Sequence, residues 1–203
     1  RLVFSPEGAV PAPLLMGCYD PKYPCHDKRV RQALDYAIDK ELIRDRLYGG
    51  PQVFQIKGWW EVGPSTIGYT PELDPWPFDP NKARQLLAEA GYPGGKGFGK
   101  LIINPAPSAA MPFIVESAQL AAELWRRELG LDVEVRVGDR TGLKKKANAG
   151  ELNGQIEWRD DDTRVDATNK FNSSHGDPKS LTRMHEDPEL FRLVQETFRI
   201  LDT

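Results

Sequence analysis

Apolar residues recur at three- and four-residue steps along several stretches of the chain, with charged residues between them. In "KRVRQALDYAIDKELIRDRLYGG", residues 28–50, Val30, Ala33, Leu34, Ala37, Ile38 and Leu42 share one stripe, while Lys28, Arg29, Arg31, Asp35, Lys40, Glu41, Arg44 and Asp45 take the other face. That is the pattern of one helix laid against a core. Asp27 stands at its N-cap position and Gly49–Gly50 where it would stop. "FDPNKARQLLAEAGYPGG" predicts a second helix, capped by Asp79, with Pro80 at the first helical position and Gly91 at the end. Residues 112–129 predict a third, ending at Gly130, with Trp125 on its core face. Residues 141–149 predict a short basic helix, and "DPELFRLVQETFRIL" a last one, capped by Asp187 with Pro188 at its start.

Strand patterns fall between these helices. "LDVEVRVG" alternates with period two, "KLIINPA" reads as a short buried strand, and "GQIEW" and the region of "PLLMGCY" as two more. Strands alternating with helices predict an α/β domain with a mixed sheet covered by helices, one domain over residues 1–203. Residues 51–79 are dense in Pro, Gly and aromatics and follow neither period. They predict an ordered irregular excursion with a binding or covering role. Trp59 and Trp60 lie within it, and Trp76 and Phe78 are expected to form the hydrophobic staple of the second helix.

Charge and composition then narrow the function. Lys and Arg number 27 against 30 Asp and Glu, a net charge of −3, which leaves no electrostatic footprint for nucleic acid. The basic run Lys144–Lys145–Lys146 reads as a solvated helix face. No stretch approaches the ~20 apolar residues of a membrane span. The chain opens on "RLVFSPEGAV", without Met or leader, and stops at "LDT" without a helix stop, so it is expected to be a piece whose export signal lies outside it. Cys18 and Cys25, in "GCYDPKYPC", fit either a local disulfide in an oxidising compartment or two reduced thiols. A zinc site on Cys18, Cys25 and His26 lacks a fourth ligand, since His175 and His185 lie far along the chain, so no metal or cofactor is expected. "GGKGFGK" follows a helix rather than a strand and lacks the Lys-Ser/Thr of a P-loop.

Three stretches together resemble one family. "DKRVRQALDYAIDKELI", "YTPELDPWPFDPNKARQLLAEAGYPGG" and "AQLAAELWRRELGLDVEVRV" are similar, in order and spacing, to segments of the family 5 extracytoplasmic solute-binding proteins (the oligopeptide, dipeptide and nickel type) that serve ABC importers. The resemblance covers roughly residues 15–203. It implies one lobe of a two-lobed, periplasmic-binding-protein-like (type II) architecture, with the first lobe and the C-terminal return segment absent from this chain. It also implies a monomeric, extracytoplasmic binder, not an enzyme. Such a protein closes about a hinge on a peptide or similar small solute and hands it to permease subunits in the membrane.

The resemblance also points to a site. Peptide-binding members meet the ligand's amino group with an Asp shortly after a Trp, and "EWRDDDTRV" sets Trp158 on that Trp and Asp161 on that Asp. A buried ammonium needs an ionised partner, worth about 1.5–3 kcal/mol, and Trp158 would add a flat apolar wall. The stretch departs from the family pattern, with Asp160 for a small residue and Asp162 for an aromatic, so the register could shift to either. The same carboxylates also suit a metal chelate, a polycation, or a solvated turn countered by Arg159 and Arg164. Trp59 and Trp60 are expected where the family's chain passes near the cleft, with core or interlobe packing the role of at least one. The enzymatic alternative is a metal-dependent hydrolase using Glu157 with Asp160–Asp162, and a third reading is a ligand-sensing module on the same fold.

Overall fold

Strands β1 (Ala12–Leu15), β2 (Lys100–Pro105), β3 (Asp132–Val135) and β4 (Ile156–Arg159) build one mixed sheet in the order β1–β4–β2–β3. The computed structural model describes residues 12–51, 56, 64, 66–67, 69–109, 112–159 and 188–201. β2 runs parallel to both its neighbours, with Leu101 beside Val133 and Ile103 beside Ile156. β1 closes one side antiparallel to β4, with Leu15 beside Ile156. The helices are α1 (Lys28–Tyr36), α2 (Lys40–Leu47), α3 (Pro80–Glu89), α4 (Ile114–Leu129), α5 (Arg140–Asn148) and α6 (Pro188–Leu201). The α/β class with a mixed, helix-covered sheet is therefore as expected.

The two-residue alternation of the strands divides the core. Leu15, Leu101, Ile103, Val133, Ile156 and Trp158 join Leu34 of α1, Ala83 and Leu87 of α3, and Ala118, Ala121 and Trp125 of α4 in the main core. Leu14 and Met16 belong to a separate small core with Leu143 of α5 and Leu152. Adjacent residues Leu14 and Leu15 thus enter different cores, as a pleated strand requires. Capping follows the sequence closely. Asp27 accepts from Arg29 N–H, Asp79 from Lys82 N–H and Asp139 from Gly142 N–H. Gly130 ends α4 in the left-handed region at φ 69°, where Gly alone carries no Cβ penalty.

One element departs from its pattern. The single helix expected over 28–50 is two, because the Asp39 carboxylate accepts from Leu42 N–H at 2.8 Å and starts a new helix after α1 has closed on Ala37. The break resets the helical phase, so Ile43 is fully buried while Leu42 is only half-buried. Trp76 also takes another role than the staple expected of it. Its ring stacks on Tyr36 at 5.0 Å with 8° between planes, and 41% of it stays exposed. Lys40 ties this corner together, donating to Asp35 O at 2.9 Å, to Asp35 Oδ2 at 3.1 Å and to Trp76 O at 3.1 Å.

Loss of water around Asp35 raises its carboxyl pKa above the ordinary 3.8, while Lys40 pulls the other way. The folded state therefore holds that proton more tightly than the unfolded state does. The Asp35 contribution to stability is fully present below 3.8 and is lost as pH rises through the folded value. Relative to the wild type, Asp35→Asn is expected to gain stability as pH rises through that window, measured by thermal denaturation across the acid range. Parallel pH profiles for the two proteins would contradict it.

Candidate functional site

The parallel strands β2, β3 and β4 share one carboxyl edge. The connection through α4 places β3 on one side of β2, and the next connection, through α5, places β4 on the other. The two crossovers leave the carboxyl ends of β2 and β3 and deliver the chain to opposite sides of β2, and ligands of α/β sheets bind at such a switch in strand order. Backbone bonds extend this edge, with Arg136 N–H donating to Ile103 O at 2.8 Å and Gly138 N–H to Pro105 O at 3.0 Å. Asn104, 4% exposed, spans the switch by donating to Gln155 Oε1 at 3.0 Å and Ile156 O at 3.2 Å. Phe113 and Val137 are large apolar side chains left 41% and 55% exposed. Phe113 stands at the start of α4, with its ring edge to face with Tyr48 at 6.0 Å.

Trp158 is corrected from its expected role. Its side chain is 0% exposed, and its indole N–H donates to Ser117 Oγ at 2.9 Å, while Ser117 Oγ donates to Ile114 O at 2.9 Å. Its ring meets Trp125 edge to face at 6.3 Å. A side chain so enclosed is no wall for a ligand; it anchors β4 to α4. The reason is strand alternation, which turns Trp158 to the same core as Ile156. Burial beside this cluster also pushes the Tyr48 hydroxyl up to about 12, with the neighbouring Ser117 hydroxyl working against the shift.

Arg159 ends β4 opposite Ala12. Asp160, Asp161, Asp162, Trp59 and Trp60 lie outside the described residues. Glu157 is half-buried on β4, opposite Leu14 and Asn104. Cys18 and Cys25 are joined as a disulfide with Cα atoms 5.2 Å apart, which decides between the two readings of these thiols. His26 turns Nδ1 to Cys18 O at 3.0 Å. Among the described residues, no group of three His, Cys, Asp or Glu side chains is placed to hold a metal. Among the same residues, no helix is long and apolar enough to cross a membrane.

Ser117 and Asn104 escaped the sequence reading. Ser117 left one trace there, as a lone hydroxyl on the apolar stripe of α4 between Ile114 and Ala121. Asn104 left another, as a polar residue inside an otherwise apolar strand.

A family model described as bacterial extracellular solute-binding proteins, family 5 Middle, matches residues 4–179. The chain belongs to this family. Heme-binding protein A of Haemophilus influenzae is 34% identical to this family 5 chain over 135 residues, 66% of the chain and 24% of that protein. Glutathione-binding protein GsiB of Escherichia coli K12 is 42% identical over 72 residues, 36% of the chain and 13% of that protein. Among solved structures, the ABC transporter substrate binding protein CtaP of Listeria monocytogenes matches with a TM-score of 0.76 at 20% identity, over 96% of this chain and 38% of that one. The periplasmic binding protein DppA of Helicobacter pylori, in complex with peptide STSA, matches at 0.69 and 21% identity, over 94% and 36%. At these identities the structures establish a shared fold. The chain spans a minor part of the length of each relative.

Replacing Trp158 with Phe removes the N–H that satisfies Ser117 and thins the layer over Trp125. Trp158→Phe is expected to lower the unfolding free energy by about 1–3 kcal/mol, read by urea denaturation of the full-length protein. A variant as stable as the wild type would contradict the anchoring role.

Proposed function

We propose that this family 5 chain forms one lobe of the substrate-binding component of an ABC uptake system. The protein captures a peptide or a similar small solute by hinge closure of two lobes and delivers it to a membrane permease. It works as an extracytoplasmic monomer without catalysis of its own and without nucleic acid. The observation that carries this reading is the family match across residues 4–179. It is supported by a sheet whose switch in strand order opens toward the end of β4, where the chain enters its run of carboxylates. In this proposal Asp161 takes the ligand's ammonium, flanked by Asp160 and Asp162, with Arg159 as counter-charge and Trp59 and Trp60 along the cleft. Trp158 acts behind them as an anchor. The hydrolase alternative has no comparable support, since the named relatives are binding proteins.

The ligand class follows from what relatives carry by name: heme, glutathione and peptides. Peptides and glutathione share a free ammonium and carboxylates, which the acidic run suits on one side. Thermal shifts of the full-length protein with a tetrapeptide, reduced glutathione and heme separate them. A ligand at a hundred times its Kd is expected to stabilise the closed form by about 2.7 kcal/mol. If a peptide or glutathione shifts the transition, Asp161→Asn should weaken that shift. A shift with heme alone would keep the binding reading and remove the ammonium role of Asp161. No shift with any of the three would count against these ligand classes.

A further inference from the structure

The turn that feeds β4 is held by the loop that follows β1. Met16 N–H donates to Gln155 O at 3.0 Å and Gly154 N–H donates to Met16 O at 2.8 Å, carrying the β1–β4 pairing past Leu15 and Ile156. The contact is close on both sides. Gly154, at φ 79°, has no Cβ, and one built there would run into the ring of Tyr23. A Cβ on Gly17, at φ 68°, would meet the Asn153 side chain at 2.6 Å. Such positions admit only Gly without a shift of the neighbouring backbone or ring.

Tyr23 sits inside the loop closed by Cys18 and Cys25, whose sequence separation is 7. That loop has no ladder of its own and is a succession of turns, with Tyr23 N–H donating to Asp20 O at 3.1 Å and His26 N–H to Tyr23 O at 2.9 Å. Its shape is fixed from its two ends. The disulfide joins them, and the Arg31 guanidinium donates to Cys25 O at 2.7 Å and His26 O at 2.8 Å. Tyr23 is thus held against Gly154 by a loop of turns that the disulfide closes covalently.

We infer that the Cys18–Cys25 disulfide, acting through Tyr23 on Gly154, is the clamp that holds the turn entering β4, so that the presence of this bond governs ligand affinity at the carboxyl end of β4. The affinity part rests on the binding function proposed above. Reduction by a dithiol breaks the S–S bond, adds two electrons and two protons to give two thiols, and turns the dithiol into its own disulfide. Cys18 and Cys25 are 1% and 5% exposed, so burial slows attack of a thiolate on either sulfur while the loop is folded. The clamp is set when the chain folds under oxidising conditions and is shielded afterwards.

The test compares the full-length wild type with Cys18→Ser/Cys25→Ser, Tyr23→Ala and Tyr23→Phe, first by amide hydrogen exchange over residues 154–159 and then by affinity for the tetrapeptide, reduced glutathione or heme. Exchange is expected to speed up about tenfold or more in the double serine variant and in Tyr23→Ala, as local opening becomes easier. Tyr23→Phe keeps the ring and should match the wild type. Affinity should fall about fivefold or more in the same two variants, with circular dichroism unchanged. Unchanged exchange over 154–159 overturns the clamp. Faster exchange with unchanged affinity overturns its link to binding. Should the double serine variant fail to fold, Tyr23→Ala, which keeps the disulfide, decides. A wild type that ignores all three probes removes the proposed ligands, and the exchange result still decides the clamp.

Discussion

Two indoles meet edge to face in the middle of this lobe, and each N–H in that dry layer requires an acceptor. Trp125 donates to Leu34 O at 2.8 Å and Trp158 donates to Ser117 Oγ at 2.9 Å. Leaving either unpaired would cost about 1–3 kcal/mol, so the pair dictates where α1, α4 and β4 lie relative to one another. The carbonyl that accepts from Trp125 is in the last turns of α1, and the hydroxyl that accepts from Trp158 is in the first turn of α4. Strand β4 is therefore located by a hydrogen-bonded aromatic contact, and everything beyond Arg159 starts from that fixed point.

The arrangement gives the lobe a division of labour. The main core fixes β4 from one face through Trp158, while the disulfide loop holds the turn before it through Tyr23 and Gly154. The small core under α5 contributes little area, and its lysines, Lys144 to Lys146, stay in water. Exposed charge pairs such as Arg192 with Glu189 and Glu196 add little to stability. Rigidity at the carboxyl edge suits a protein whose proposed motion is between lobes rather than within one, since a hinge transmits closure only if each body keeps its shape.

Much of this was legible in the sequence because the signals are local. Asp27 and Asp79 cap the helices that follow them, and Gly130 ends α4, as steric and hydrogen-bond rules dictate. The break after Tyr36 was not legible. Ala37 and Ile38 keep the apolar phase of α1, and Asp39 reads as one more surface acid until its carboxylate is seen to cap α2. The role of Trp158 was hidden for a related reason: family likeness supplies a neighbour for Asp161, whereas only the register of β4 tells which way the ring turns. Trp76 was read by its nearness to α3 in sequence, but a stacking partner 40 residues away in the chain, Tyr36, takes it instead. Strand order is likewise a property of the assembled sheet, since period-two alternation says which face is buried and nothing about which strand lies alongside.

In the function proposed for it, this chain is one body of a receptor that closes on a small solute. Small-angle X-ray scattering of the full-length protein, with and without saturating tetrapeptide, glutathione or heme, tests it most directly. Closure predicts a smaller radius of gyration with the ligand that binds, together with an unchanged circular dichroism spectrum. Binding with no change in radius of gyration would contradict the two-lobe account.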